Sequence, residues 1–485
     1  MNKYRNLIIN FGLFAVNAVA TKLVTFLLVP LYTYFMSAGE YGLTDMSLTV
    51  ISLVTPLATL SVADAAVRFM VGDRGRAGEY AFVGFAVTLA SVAAVAALSP
   101  LLGLGAFGGL GSYKGWFVLA YASSALLQLC GEVARGMGRV RLIPICAGLS
   151  SLVTCVSAVA LIGGAGLSVI GYFASVSVGP LAAVVLYLTA GGLGQLALRG
   201  ARAVLGGSGV LRRVAALARP MLAYSLPLVP NSLFWWAGTS INRFFITGML
   251  GISASGMFAA GSKVPNLLNT AYSIFQQAWQ LSAFQESEED GLAGFFSSVF
   301  SFLQAAMCVL CGAISLLAPW LASFFLQGEF YPAWTMIPVM LLANLMNVFN
   351  AFYGTVYTST MHTAYIMRTT LAGAVCCVVL TPALIPLIGV YGACVASVAS
   401  QALVFAMRAA DSRKYVAFDA GWRYLLPTLA VLVVQAVVAA LQVDGWYAVS
   451  AVCLVAVMLL QGLHIAPQLI RLAESLGKKG AASGQ

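Results

Sequence analysis

Apolar residues run through this chain in continuous stretches, broken by short intervals where Arg, Lys, Gly and Pro collect. A hydrocarbon core about 30 Å thick needs roughly 20 apolar residues to cross it as a helix. The stretches therefore predict fourteen spans, near 7–36, 41–69, 80–103, 114–134, 142–163, 167–191, 220–250, 254–284, 292–318, 333–360, 369–388, 390–407, 424–441 and 446–466. Strands of an outer-membrane barrel would alternate apolar and polar residues every second position, and these runs do not. The fold class expected is an all-α polytopic membrane protein. The run from Leu7 to Phe35 is longer than a secretory signal core and no small-residue cleavage site follows it, so it is read as a retained first span.

Composition agrees. Of 485 residues, 61% are hydrophobic and 8% charged, with a mean hydropathy of +0.94. A solvated surface of this size needs roughly 25% charged residues, which excludes a soluble protein. Lys and Arg number 25 against 15 Asp and Glu, a net charge of +10. Basic residues cluster between spans: Lys3, Arg5, Arg74, Arg76, Arg135, Arg139, Arg141, Arg199, Arg202, Arg212, Arg213, Arg219, Arg368, Arg408, Arg413, Lys414, Arg423, Arg471, Lys478 and Lys479 fall in alternate loops, and only Lys114 in the opposite set. This asymmetry reads as the positive-inside rule and not as a nucleic-acid footprint. It predicts both termini on the cytoplasmic side of the plasma membrane.

The basic, Gly-rich interval near 192–219 separates six spans from six, and two more follow the 408–423 loop. The expected organisation is an N-terminal six-helix lobe (1–195), a cytoplasmic linker (196–219), a second six-helix lobe (220–410), and an additional helix pair with a cytoplasmic tail (411–485). An offset of 214 pairs Asn17 with Asn231, Thr25 with Thr239 and Gly42 with Gly256, which suggests a parallel internal repeat.

Enzymatic chemistry finds little support. There is no GxxxxGK(S/T) phosphate loop, no long outer loop bearing paired carboxylates, and no useful partner spacing for His362 or His464. Cys308 and Cys311 lie one turn apart without a second pair, so no metal or cofactor is expected.

Charges within the spans are the candidate functional residues, because each costs about 2.5–3.5 kcal/mol at a helix centre on insertion scales. They are Lys22, Asp64, Arg68, Arg243 and Lys263, with Asp45 near an outer helix end. Asp64 and Arg68, four apart on one helix, are expected to pair with each other. Lys22, Arg243 and Lys263 have no local carboxylate, which suits an anionic phosphate or pyrophosphate ligand. Asn231, Trp235, Asn242, Asn266, Gln276 and Trp279 share spans seven and eight with Arg243 and Lys263, and offer amide and aromatic surface for sugars. Pro30, Pro56, Pro227, Pro230 and Pro265 interrupt the same helices.

Short motifs carry a resemblance. Pro30-Leu31-Tyr32-Thr33, Glu40-Tyr41-Gly42 and Asp64-Ala65-Ala66-Val67-Arg68-Phe69 occur in the first half. Asn242-Arg243-Phe244-Phe245-Ile246, Gly251, Gly256-Met257-Phe258 and Ser262-Lys263 occur in the second. Together they resemble the oligosaccharide flippases, the polysaccharide transporter family of the multidrug, oligosaccharidyl-lipid and polysaccharide (MOP) exporter superfamily. The resemblance implies a two-lobed, V-shaped carrier with an alternating central cavity. The implied cargo is an undecaprenyl-pyrophosphate-linked oligosaccharide passing from cytoplasmic glycosyltransferases to a glycan polymerase, with membrane lipids as the other partners. The family often has Asp-Arg where this chain has Asn242-Arg243, which makes the cavity more cationic. Alternatives are a lipid II flippase, a multidrug and toxic compound extrusion (MATE) drug exporter, and a membrane-embedded glycan polymerase or ligase.

Overall fold

The computed structural model describes residues 26–206, 209–285, 292–359 and 364–482. Every regular element among them is a helix, and they fall into two compact units, Met1–Ala260 and Gly261–Gln485.

The first unit contains α1 (Phe26–Phe35), α2 (Ala38–Ala58), α3 (Val62–Gly72), α4 (Ala77–Leu98), α5 (Lys114–Gly136), α6 (Leu142–Ala158), α7 (Ser168–Leu188), α8 (Leu193–Leu205), α9 (Val210–Ser225), α10 (Leu228–Ser240), α11 (Asn242–Leu250) and all but the last residue of α12 (Ile252–Gly261). A reciprocal capping box starts α2: Glu40 N–H donates to the Ser37 hydroxyl, and Ser37 N–H to the Glu40 carboxylate at 2.9 Å. Glu40 also accepts from the Ser168 hydroxyl, joining the start of α2 to the start of α7. Between α2 and α3 the chain bends by 49°. The bend is made by Leu60 and Ser61, both left-handed at φ +54° and +52°. For residues with a Cβ this conformation costs about 1–2 kcal/mol each. The core around α3, α4 and α5 is built from Met70, Tyr80, Ala81, Leu129, Val133 and Ala134.

The second unit holds α13 (Asn266–Gln285), α14 (Leu292–Phe325), α15 (Ile337–Ser359), α16 (Ala364–Ile388), α17 (Val390–Asp411), α18 (Trp422–Ala440) and α19 (Trp446–Ala482). Phe300 of α14 meets Phe349, Phe352 and Tyr353 of α15 and Phe418, at centroid distances of 5.1–5.7 Å. The C-terminal pair is fastened to α14 by amides. Gln304 donates to Gln461 at 3.2 Å, Gln461 donates to Thr428 at 2.8 Å, and Gln435 donates to the Gly312 carbonyl at 3.0 Å. All three glutamines are buried.

Ten helical stretches among the described residues are long and apolar enough to cross a membrane, or eleven if α2 and α3 form one bent span. They expose Leu152, Val185, Leu387 and Val452, apolar surface suited to lipid and not to water. The chain is a multi-pass membrane protein. The expected span 7–36 lies mostly outside the described residues. Expected spans 220–250 and 254–284 are not continuous helices: the first is interrupted at 226–227 and Ile241, the second at 262–265, and Gly251 lies between them. Pro227, Pro230 and Pro265 cannot donate to a preceding turn, and Gly251 takes φ +93°. The interval read as a linker, 196–219, is largely helical as α8 and α9.

Candidate functional site

In the first unit, α2 faces α10, α11 and α12 along a polar seam. At one end the two backbones touch: a Cβ on Gly42 would sit 2.2 Å from the Ile252 carbonyl oxygen, and one on Gly256 1.9 Å from that of Ala38. No other residue fits at either place. One turn along, the Arg243 guanidinium of α11 pairs with the Asp45 carboxylate of α2. Their side chains keep 18% and 7% of their surface accessible. A further turn along, the Trp236 indole N–H donates to the Thr49 carbonyl and the Ser52 hydroxyl, both at 3.1 Å. Phe244 packs edge-on between Trp236, at 5.6 Å, and Phe107, at 5.8 Å.

This geometry corrects the reading of Arg243 as a cation without a carboxylate. Its partner stands 198 positions earlier. The pairing expected between Asp64 and Arg68 is absent. Both side chains are exposed on one face of α3, where an ion pair gains little. The opposite charge acting on Asp64 is Arg135 of α5, which pairs with Glu132 at 2.9 Å.

Asn231 and Trp235 are exposed on the same face of α10, with Trp236 buried opposite. Asn242 is buried beside Arg243 at the start of α11. In the second unit, Lys263 is half-buried in the turn before α13. Asn266 is exposed and accepts from Asn269 at 3.4 Å, and Asn269 accepts from Asn347 of α15 at 3.3 Å. Gln276 is half-buried on α13. Lys22 and the Trp279 side chain lie outside the described residues.

Two participants were missed from sequence. Asp45 was read as a helix-end charge, although it is the Arg243 partner. Asn347 belongs to the series Asn344, Asn347, Asn350, one amide every three residues along an otherwise apolar helix; that spacing was the available signal. One loop cation is also reassigned. Arg408 is 7% exposed and donates to the Asn350 carbonyl at 2.7 Å, Thr369 at 3.0 Å and Thr370 at 3.3 Å, tying together α15, α16 and α17.

No protein-family profile matches the sequence, and no curated protein matches it. Solved structures do share its fold. The lipid II flippase MurJ, in an inward closed conformation, superposes with a TM-score of 0.64 over 94% of this chain and 99% of that one, at 11% identity. A MATE protein in complex with MaD3S gives 0.54, covering 84% and 96% at 12% identity. A MOP superfamily transporter from Pyrococcus furiosus, described by a binding pocket of reverse polarity, gives 0.52 over 84% and 96% at 12% identity. The chain therefore shares the all-α, multi-span fold of these three solved structures.

Proposed function

We propose that this protein is a flippase that moves a lipid-pyrophosphate-linked oligosaccharide across the cytoplasmic membrane by alternating access. The observation that carries the reading is the Asp45–Arg243 pair. A guanidinium held inside a membrane protein by a single carboxylate from another helix can exchange that carboxylate for phosphate oxygens, which match its planar fork equally well. Cargo entry would then release α11 from α2, coupling binding to opening. Lys22 and Lys263 are the other cations proposed to act on the anionic cargo during its passage. The exposed faces carrying Asn231 and Trp235 on α10, and Asn266 on α13, offer amide and aromatic surface to sugars. Asp64 and Arg68 line a water-facing approach on α3. An anion leaving an inside-negative cell moves downhill by about 2.3 kcal/mol per unit charge at 100 mV, so the potential assists export without nucleotide hydrolysis.

A second reading, lipid II as cargo, is favoured by the fold likeness to the MurJ flippase, which extends over 94% of the chain. Depletion separates the two: lysis indicates lipid II, and loss of a surface polymer without lysis indicates an oligosaccharide. A cation-coupled drug exporter fits less well, because cationic drugs are repelled by a positively charged interior. The central test is transport or complementation with Lys22→Ala, Arg243→Ala and Lys263→Ala. A loss of at least tenfold in each is expected, about the weight of one charge-assisted contact. Full activity of all three at normal expression removes the pyrophosphate role.

A further inference from the structure

Between Glu132 and Glu286 the chain contains no Asp or Glu, yet α8, α9 and the short loop joining them carry Arg199, Arg202, Arg212, Arg213 and Arg219. With 13 residues, α8 is about 20 Å long, too short to cross a bilayer. It is firmly seated. Leu193, Gly200 and Val204 are buried against the unit. A Cβ on Gly200 would lie 1.8 Å from the Gly78 carbonyl oxygen in the first turn of α4. Arg213 ties α9 back to the end of α8 by donating to the Ala203 carbonyl at 3.3 Å.

The opposite face of α8 is uncovered, and its composition is unusual for a surface turned to water. Leu198 and Leu205 are 60% and 50% exposed, alongside exposed Arg199 and Arg202. The guanidinium groups of Arg199, Arg202 and Arg212 make no hydrogen bond or ion pair among the described residues. Leucines beside unpaired arginines on a short, rigidly held helix match the boundary between acyl chains and head groups, with the leucines entering the apolar side and the arginines meeting phosphate.

We propose that α8 and the start of α9 form a docking surface for acidic phospholipids of the adjacent leaflet. A purely topological role would require arginines only during insertion and would leave the folded protein indifferent to lipid charge. The docking role needs lipid anions at equilibrium. It does not depend on the cargo.

The test is native mass spectrometry of the full-length protein released from micelles containing equal phosphatidylglycerol and phosphatidylcholine. Each arginine near an anionic surface contributes about fivefold. R199Q/R202Q/R212Q should therefore lower phosphatidylglycerol enrichment by at least tenfold, and raised salt should lower it in the wild type. R199K/R202K/R212K, which keeps the charge, should retain most of the enrichment and shows that these positions tolerate substitution. R413Q/K414Q/R423Q, removing equal charge from the second unit, should leave it unchanged. Wild-type enrichment in the glutamine variant, or an equal loss in the second-unit variant, overturns the proposal.

Discussion

Removing Asp45 tests both the packing of the first unit and the proposed exchange of anions. In Asp45→Asn the amide keeps its shape but no longer neutralises Arg243. Breaking a buried pair by deleting one partner costs about 3–5 kcal/mol. Because Arg243 retains 18% of its side-chain surface, the low end, about 3 kcal/mol, applies. Arg243→Gln should cost a similar amount. The double variant, which removes both charges of the pair, should be less than additive by about 1–3 kcal/mol, the range for directly coupled residues. Denaturant unfolding of the purified protein in micelles provides the four free energies. The exchanged pair Asp45→Arg with Arg243→Asp extends the test, since it restores attraction between α2 and α11 but moves the cation to the other helix. It should recover stability without recovering transport. Additive single-variant effects, within about 0.5 kcal/mol, would refute the energetic coupling. Transport by the exchanged protein would refute Arg243 as a phosphate ligand.

Other consequences are as direct. Gly256→Ala places a methyl group where the Ala38 carbonyl already stands, so α2 and α12 must separate; a loss of about 1–3 kcal/mol is expected from unfolding. Ser61→Gly relieves a left-handed residue with a Cβ and should stabilise by about 0.5–1 kcal/mol, and destabilisation would show that the Ser61 side chain has its own role. Trp236→Phe keeps an aromatic ring but removes the pyrrole part with the N–H that reaches Thr49 and Ser52, and should cost at least about 1 kcal/mol by the same assay. Gln461→Leu breaks the chain from Gln304 to Thr428 and should cost about 1–2 kcal/mol, accompanied by faster proteolysis after α17.

The long spans were legible because a helix in lipid must satisfy its own backbone and stay apolar for about twenty residues. That reasoning fails where the membrane rule is relaxed. The segments around Arg243 and Lys263 are apolar enough to pass as spans, but Pro227, Pro230, Gly251 and Pro265 divide them, and proline alone does not reveal whether a helix kinks or ends. The candidate site was half visible. A cation in an apolar run is conspicuous, but its carboxylate 198 positions away is not. Asp45 passed as a helix-end charge because proximity across helices leaves no periodic trace. Arg408 was misplaced for a related reason: a basic residue at a helix end satisfies the topological rule whether it faces water or, as here, three neutral acceptors inside the bundle.

The glutamine ties between α14 and the C-terminal pair have a mechanical consequence. In lipid, leucine gains nothing by leaving acyl chains for another leucine, so two helices meeting only through apolar side chains can be parted by an intruding lipid at little cost. An amide already bonded to an amide cannot be parted so cheaply, because hydrocarbon offers it no replacement. Gln304, Gln435 and Gln461 thus work as rivets in a wall otherwise made of interchangeable bricks, and whatever displacement α14 undergoes, α18 and α19 are carried along with it.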